Sequence, residues 1–410
     1  MSELCFCSSA YGGWGIVRVG TLVPESHMLF LCPYSCGRHN AVGAAQHSYR
    51  QQISYLFIDE ADLALGVLKE DLFAAVEEIL QNRKPRPKVL LLFFSCVLYM
   101  AGFDWDASIE ELRERYPELQ FQACMMNPVA SDRQVAPALW MQHSLCSLWN
   151  LESEQVDTLN LIGSYVSLDP ESEIYPVLTE CGVTGVLHWS EMETYEDYSK
   201  MGASRWNLVL RPEGTYAAKC LAPRMDYRFV PVSYGLKQVD QQYEEIFEML
   251  GKRTDLTPYR KKAEEAVAKA LEAVGGRRIA VGASAVCRPY SLALALREYG
   301  FVVSDVFTGG GVASYEQEAY ETLLRDYPDT AFHSIFSPEN VRQVGRMGSA
   351  EIAIGYSAGY HTGAPIVVDQ MTDEGMFGYR GIARLMEKLC QSIAHPQALE
   401  AMIESYGLIV

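Results

Sequence analysis

The stretch "KVLLLFFS", residues 88–95, constrains the fold more than any other part of the chain. Its apolar residues are continuous rather than alternating. Such a run, bounded by a lysine and a serine, reads as a strand covered on both faces, which is the environment of a parallel sheet. Its neighbours agree. "SYLFID" (54–59) is a strand, and "KEDLFAAVEEIL" (69–80) has helical period, with Leu72, Val76, Ile79 and Leu80 on one face. After the run, "SIEELRERY" is helical and "LQFQAC" returns as a strand.

The alternation continues to the end of the chain. Beyond an acidic linker, "NLESEQ", come the strand "TLNLIGSY", the helix "EIYPVLTECG", the strand "RWNLVL" and the helix "DQQYEEIFEML". A third block opens with a helix that Thr257 can cap, whose first position Pro258 suits and that Gly275 ends. "RRIAVGAS", "FVVSDVFT", "AFHSIF" and "EIAIGYS" are strands around the helix "PYSLALALREYG", and "YRGIARLMEKLCQSI" is a late helix. Strands alternating with helices predict an α/β protein with parallel sheets, in blocks at 1–150, 151–255 and 256–410. Ligands in such folds bind beyond the carboxyl ends of strands.

Charge and hydropathy narrow the function. The net charge of -18 disfavours nucleic acid, whose phosphates require clustered Lys and Arg. The N-terminus has no basic segment followed by an apolar one, and the longest apolar run, Val89–Phe103, falls short of the ~20 residues of a spanning helix. A soluble, cytoplasmic protein with no membrane partner is expected. Asp59-Glu60-Ala61-Asp62 has the letters of a helicase box, but no G-x-x-x-x-G-K-[ST] loop accompanies it, so those letters read as an acidic strand-to-helix connection. "TGGGVAS" (308–314) could cradle an anion or be a flexible loop.

The 11 cysteines carry the most specific signal. Cys32 and Cys36, in "LCPYSCGRHN", stand where an apolar run stops, with Pro33 and Gly37 beside them. A disulfide, a zinc site and an iron–sulfur ligand compete. An odd count without an export signal argues against a disulfide framework, and no C-x-x-C pair supports zinc. Three cysteines share a context: Cys7 before "SSAYGGWG", Cys36 before Gly37, and Cys96 at the carboxyl end of the strand 88–95. Thiolates on apolar backing with small neighbours suit an iron–sulfur cluster, whereas buried cysteine can also be only a small hydrophobe.

The pattern "CSSAYGG", "CPYSCG" and "SCVLYMAGFDWD" resembles the nitrogenase component 1 family, which includes nitrogenase MoFe-protein subunits, dark-operative protochlorophyllide reductase and the nickel-tetrapyrrole reductive cyclase of methanogens. "IDEADLALGVLKEDLFAAVEEI", "RRIAVGASAVCRPYSLALALREYG" and "DEGMFGYRGIARLMEKL" extend the likeness over nearly the whole chain. The resemblance implies three Rossmann-like domains with parallel sheets around a central cleft. It implies an iron–sulfur cluster, 4Fe-4S or a larger P-cluster-like one, on Cys7, Cys36 and Cys96. Cys32, which replaces the first glycine of the family's Gly-Pro-x-Gly-Cys, is a further ligand or an accessory thiol. The second-domain cysteine and third-domain histidine that hold the nitrogenase active-site cofactor have no counterpart: "LVLRP" offers Leu210 or Arg211, "IVVDQM" has no histidine, and His361 lies a few residues early. Dinitrogen reduction in this chain is therefore not implied.

The resemblance implies a reductase subunit that takes low-potential electrons from an ATP-hydrolysing, Fe-protein-like partner, pairs as a homodimer or with a second component 1-like subunit, and reduces a small molecule. An assembly scaffold for an iron–sulfur or metallocofactor precursor is the alternative within the family. A non-catalytic α/β binding module, its cysteines all in the core, is the alternative outside it. Strand ends place Arg211, Glu213 and His361 as candidate residues of the substrate cleft. The competing reading makes Arg211 and Glu213 a surface ion pair and His361 a loop residue.

Overall fold

The computed structural model describes residues 15–46, 49–126, 135 and 137–406. Among them, three all-parallel sheets carry the fold. The first contains β1 (Ser26–Cys32), β2 (Ile53–Phe57), β3 (Val89–Ser95) and β4 (Gln120–Met126), in spatial order β2-β1-β3-β4. Every residue of β3 is buried, as its unbroken apolar run requires. Side chains alternate between two cores. Met28, Phe30 and Cys32 join Val89, Leu91 and Phe93 on one side. Leu29 and Leu31 join Leu90, Leu92 and Phe94 on the other, where Leu72, Val76 and Ile79 of the helix Leu68–Asn82 cover them.

The second sheet orders β5 (Val156–Ile162), β6 (Gly185–Leu187), β7 (Ser204–Val209) and β8 (Asp226–Phe229) as β6-β5-β7-β8. The third orders β9 (Arg278–Val281), β10 (Val302–Thr308), β11 (Ala331–Ser334), β12 (Ile352–Ile354) and β13 (Ile366–Val368) as β11-β10-β9-β12-β13. In each sheet the order reverses once, between β1 and β3, β5 and β7, and β9 and β12. These are the positions at which parallel α/β sheets open a crevice.

The chain forms two compact units. One holds the first two sheets, over residues 15–165 and again from Gly185 to Phe229. The other holds Val166–Thr184 and the chain from Val230 onward, with the third sheet. Within the second unit a buried carboxylate fastens Val166–Thr184 in place. Glu173 accepts the N–H groups of Tyr379 (2.6 Å) and Arg380 (3.0 Å), which open the helix Gly378–Ala394, and the hydroxyl of Tyr243 (2.8 Å). Gly378, at φ 60°, is required there, because a Cβ would lie 2.1 Å from Glu173 Oε1.

Local signals resolve as follows. Asp59 and Asp62 form a reciprocal cap on the helix Glu60–Leu65, so the acidic letters of Asp59–Asp62 are a helix start. The helix of the third block runs Thr257–Val274 and ends at Gly275 in the left-handed region. Thr257 does not cap it and Pro258 is not its first residue: the helix starts at Thr257, whose N–H donates to Asp255 Oδ1 at 2.9 Å, and Leu256 stands in the capping position without a side-chain cap.

Candidate functional site

The switch point of the first sheet lies between β1 and β3, and both strands end there in residues of chemical interest. Leu31 pairs with Phe94, which leaves Cys32 and Ser95 as the next residues on adjacent strands. Pro33 then turns the chain into the helix Tyr34–Gln46, and its carbonyl accepts the N–H groups of Cys36 (3.0 Å) and Gly37 (3.2 Å). Cys36 is half-buried and packs on the core face that holds Cys32. Across the switch point Cys96, also half-buried, opens the helix Cys96–Met100. The need for glycine at 37 has a visible cause: a Cβ there would lie 2.5 Å from Phe57 Cε1 and 3.2 Å from Tyr55 Cδ1.

Cys32 differs from the other two. It is wholly buried, and burial, with Cys36 nearby, pushes its thiol up to about 12. Cys7 lies outside the described residues. Among the described residues no group of three His, Cys, Asp or Glu is placed to hold a metal ion. The described part of the predicted ligand set is thus Cys36 and Cys96, two half-buried thiols in the segments that follow β1 and β3, and Cys36 packs on the core that holds Phe30, Leu91 and Phe93. This donor set fits an iron–sulfur cluster. Ser95, between them, is also buried, and its Oγ has no hydrogen-bond partner among the described residues.

Large apolar side chains stand exposed around these strand ends. Tyr34 (72% exposed) opens the helix after β1, Phe57 ends β2, and Tyr99 and Met100 (71%) follow Cys96. The rings of Tyr34 and Phe57 are 4.9 Å apart.

The second sheet presents Arg211 and Glu213 at its own switch point, just past β7. Their side chains pair at 3.0 Å and are 11% and 23% exposed, so this is a largely buried ion pair rather than a surface one. Glycine brings the backbone of β5 against them: Gly163, at φ 91°, would place a Cβ 2.8 Å from both the N and the O of Arg211. Gln142 Nε2 donates to the Gly163 carbonyl at 3.3 Å. Tyr165 completes the group. Burial, and secondarily the charge of Glu213, push its phenol up to about 12, with a hydrogen bond from Gln142 opposing. Glu213 Oε2 is buried without a hydrogen-bond partner among the described residues. Sequence reasoning singled out Arg211 and Glu213 because they stand just past a strand. It missed Gln142 and Tyr165, which reach the pair from distant parts of the chain.

His361 lies in the other compact unit, on the helix Tyr356–Thr362 after β12, and is wholly buried. Its ring stacks on Phe307 at 5.3 Å, and burial, with the charge of His333, lowers its pKa to about 4. His333 Nε2 is 2.8 Å from Asp305 Oδ1. At the switch point of this third sheet the hydroxyls of Ser284 and Ser357 are 3.0 Å apart. Asp373, at φ 58°, accepts the Tyr234 hydroxyl and the Cys287 N–H, each at 2.7 Å. Sequence reasoning did not single out Ser284, Ser357 or Asp373. The small-residue runs "GASA" and "YSAG" directly after strands were the available signal.

Three parallel sheets define an α/β architecture, and comparison with known proteins makes it specific. The chain belongs to the nitrogenase component 1 type oxidoreductases, whose family profile matches residues 13–394. It is similar in structure to a solved chain described as nitrogenase Cp1 at pH 6.5, with a TM-score of 0.73 and 15% identity, covering 96% of this chain and 94% of that one. A second, nitrogenase Cp1 at pH 5, gives a TM-score of 0.56 at 14% identity over 95% and 90% of the two chains. At these identities the likeness is one of fold. No curated protein matches the sequence. Among the described residues no helix is long and apolar enough to cross a membrane.

Proposed function

We propose that this chain is a cytoplasmic reductase subunit that receives low-potential electrons from an ATP-hydrolysing, Fe-protein-like partner and reduces a small molecule. Cys7, Cys36 and Cys96 hold an iron–sulfur cluster, which when bound supplies one-electron transfer at low potential. The observation that carries this reading is the placement of Cys36 and Cys96 as half-buried thiols on either side of one switch point. Cys32, wholly enclosed by the sheet and its covering layer, serves as a packing thiol.

The chain's own residues shape that environment. Phe30, Leu91 and Phe93 exclude water behind the thiols, which strengthens electrostatic interactions at the strand ends. Tyr34, Phe57, Tyr99 and Met100 form an apolar rim suited to burial against a second component 1-like subunit. Arg211 and Glu213 bind and orient the substrate: the guanidinium takes a carboxylate or phosphate in its fork, and Glu213 Oε2 supplies a buried acceptor. The sequence has no phosphate loop, so nucleotide is used by the partner.

The test is anaerobic purification followed by partner-dependent reduction. The expected result is protein that contains iron and sulfide, with a visible absorbance that bleaches when an Fe-protein-like reductase and Mg-ATP are both present. Iron-free protein would remove the cluster. A cluster that passes intact to an acceptor protein, and is never reduced by the partner, would make the chain an assembly scaffold instead.

A further inference from the structure

Among the described residues the Ser95 hydroxyl has no hydrogen-bond partner, although it is buried at the end of β3, beside the switch point of the first sheet. A hydroxyl out of contact with water costs stability unless it is hydrogen-bonded, and nearly all buried polar side chains find a partner. Ser95 is 2% exposed, and its Oγ has none among the described residues. It precedes the helix Cys96–Met100 in the capping position, yet its side chain makes no capping hydrogen bond, although serine is among the residues best able to do so. Nor does it bond to the sulfur of Cys32, its neighbour across the switch point.

Its direction follows from strand alternation. Leu91 and Phe93 face the core that contains Phe30 and Cys32, and Ser95 is the next residue of that parity. The hydroxyl therefore stands on the Cys32 face, with Cys36 packed on the same core and Cys96 next in sequence.

We infer that Ser95 donates its hydroxyl hydrogen to a sulfur of the iron–sulfur cluster held by Cys36 and Cys96, and so helps to set the potential of that cluster. The inference rests on the cluster reading above and goes beyond it by assigning a positioning and tuning role to a residue that is not a ligand. A hydrogen bond to cluster sulfur stabilises the more negative, reduced state and thus raises the reduction potential. Without the cluster the same hydroxyl is an unsatisfied buried group, so its removal relieves a penalty.

The experiment compares the full chain, prepared anaerobically, as wild type, Ser95→Ala and Ser95→Thr. Readouts are iron and sulfide content, midpoint potential by dye-mediated titration, the rate of iron release to a chelator, and thermal unfolding of the chelator-stripped protein. Ser95→Ala is expected to keep its iron, shift the midpoint to more negative values and release iron several-fold faster, with Ser95→Thr close to wild type. The stripped Ser95→Ala protein should unfold at the same temperature as wild type or higher. An unchanged midpoint and release rate would overturn the inference and leave the hydroxyl to a bound water. A lowered unfolding temperature of the stripped variant would overturn it too, since the hydroxyl would then be used by the protein. Wild-type protein devoid of iron would overturn the cluster reading itself, a result separable from either of these.

Discussion

Leu31 of β1 and Phe94 of β3 are register partners, and one residue further along each strand stand Cys32 and Ser95. Because β1 connects to β2 on one side and β3 to β4 on the other, the segments leaving both strands diverge, and Cys36 and Cys96 stand in the first turns of the helices that follow.

The first prediction concerns the carboxylate that fastens the helix Gly378–Ala394. Glu173→Ala removes an acceptor shared by the Tyr379 and Arg380 N–H groups and the Tyr243 hydroxyl, all in a buried setting. The expected cost is about 2–4 kcal/mol, read as a lower urea midpoint of the second unit. An unchanged midpoint would show that water takes over these donors.

The second prediction is a pH dependence. Glu316 is buried and accepts the Ser291 N–H at 3.0 Å in the first turn of the helix Pro289–Glu298. Burial raises its pKa to about 7, against the opposing effects of that N–H and of Arg288. An unfolded glutamate titrates near about 4.3. Between those values the folded chain holds a proton that the unfolded chain has lost, so this group makes stability fall as pH rises towards 7 and adds no slope above it. Glu316→Gln should flatten that part of the profile, by no more than about 4 kcal/mol. A wild-type slope that persists in the variant between pH 5 and 8 would assign it to another group.

The third prediction separates substrate handling from packing. Arg211→Ala should lower substrate turnover by at least about tenfold, the effect of losing roughly 1.4 kcal/mol of transition-state binding, while reduction by the partner proceeds at the wild-type rate. Arg211→Lys should not restore turnover, since an ammonium lacks the planar fork. His361 is expected to behave as a core residue: His361→Ala should cost about 2–4 kcal/mol, and His361→Phe, which preserves the stack on Phe307, should turn over substrate normally. Normal turnover in Arg211→Ala would place the substrate elsewhere. Loss of turnover in a stable His361→Phe protein would restore the imidazole as a functional group.

The sequence showed as much of the fold as local pattern can. Val89–Ser95 announced a doubly covered strand because its residues up to Phe94 are all apolar, and Gly275 announced a helix end because the left-handed region favours glycine. The strands Gly185–Leu187 and Ile366–Val368 were not assigned. Thr257 misled because the helix starts one residue earlier than its capping side chain suggested: Thr257 is already helical, Leu256 stands in the capping position, and Asp255 accepts the Thr257 N–H. The site was legible as residue types and not as environments. The letters of Cys32, Cys36 and Cys96 are alike. Only the pairing of β1 with β2 and β3 seals the first thiol in the layer and leaves the other two accessible. Likewise Arg211 and Glu213 could be read as partners, but the burial that distinguishes them from a surface pair comes from Gly163, Gln142 and Tyr165.

The most direct measurement of the central claim is the iron and sulfide content of anaerobically prepared Cys36→Ala, Cys96→Ala and Cys32→Ala proteins beside the wild type. The account predicts that wild type and Cys32→Ala contain iron and sulfide and absorb in the visible, whereas Cys36→Ala and Cys96→Ala lose most of both. Full iron retention in Cys96→Ala would contradict the account, because the switch point of the first sheet would then not hold the cluster.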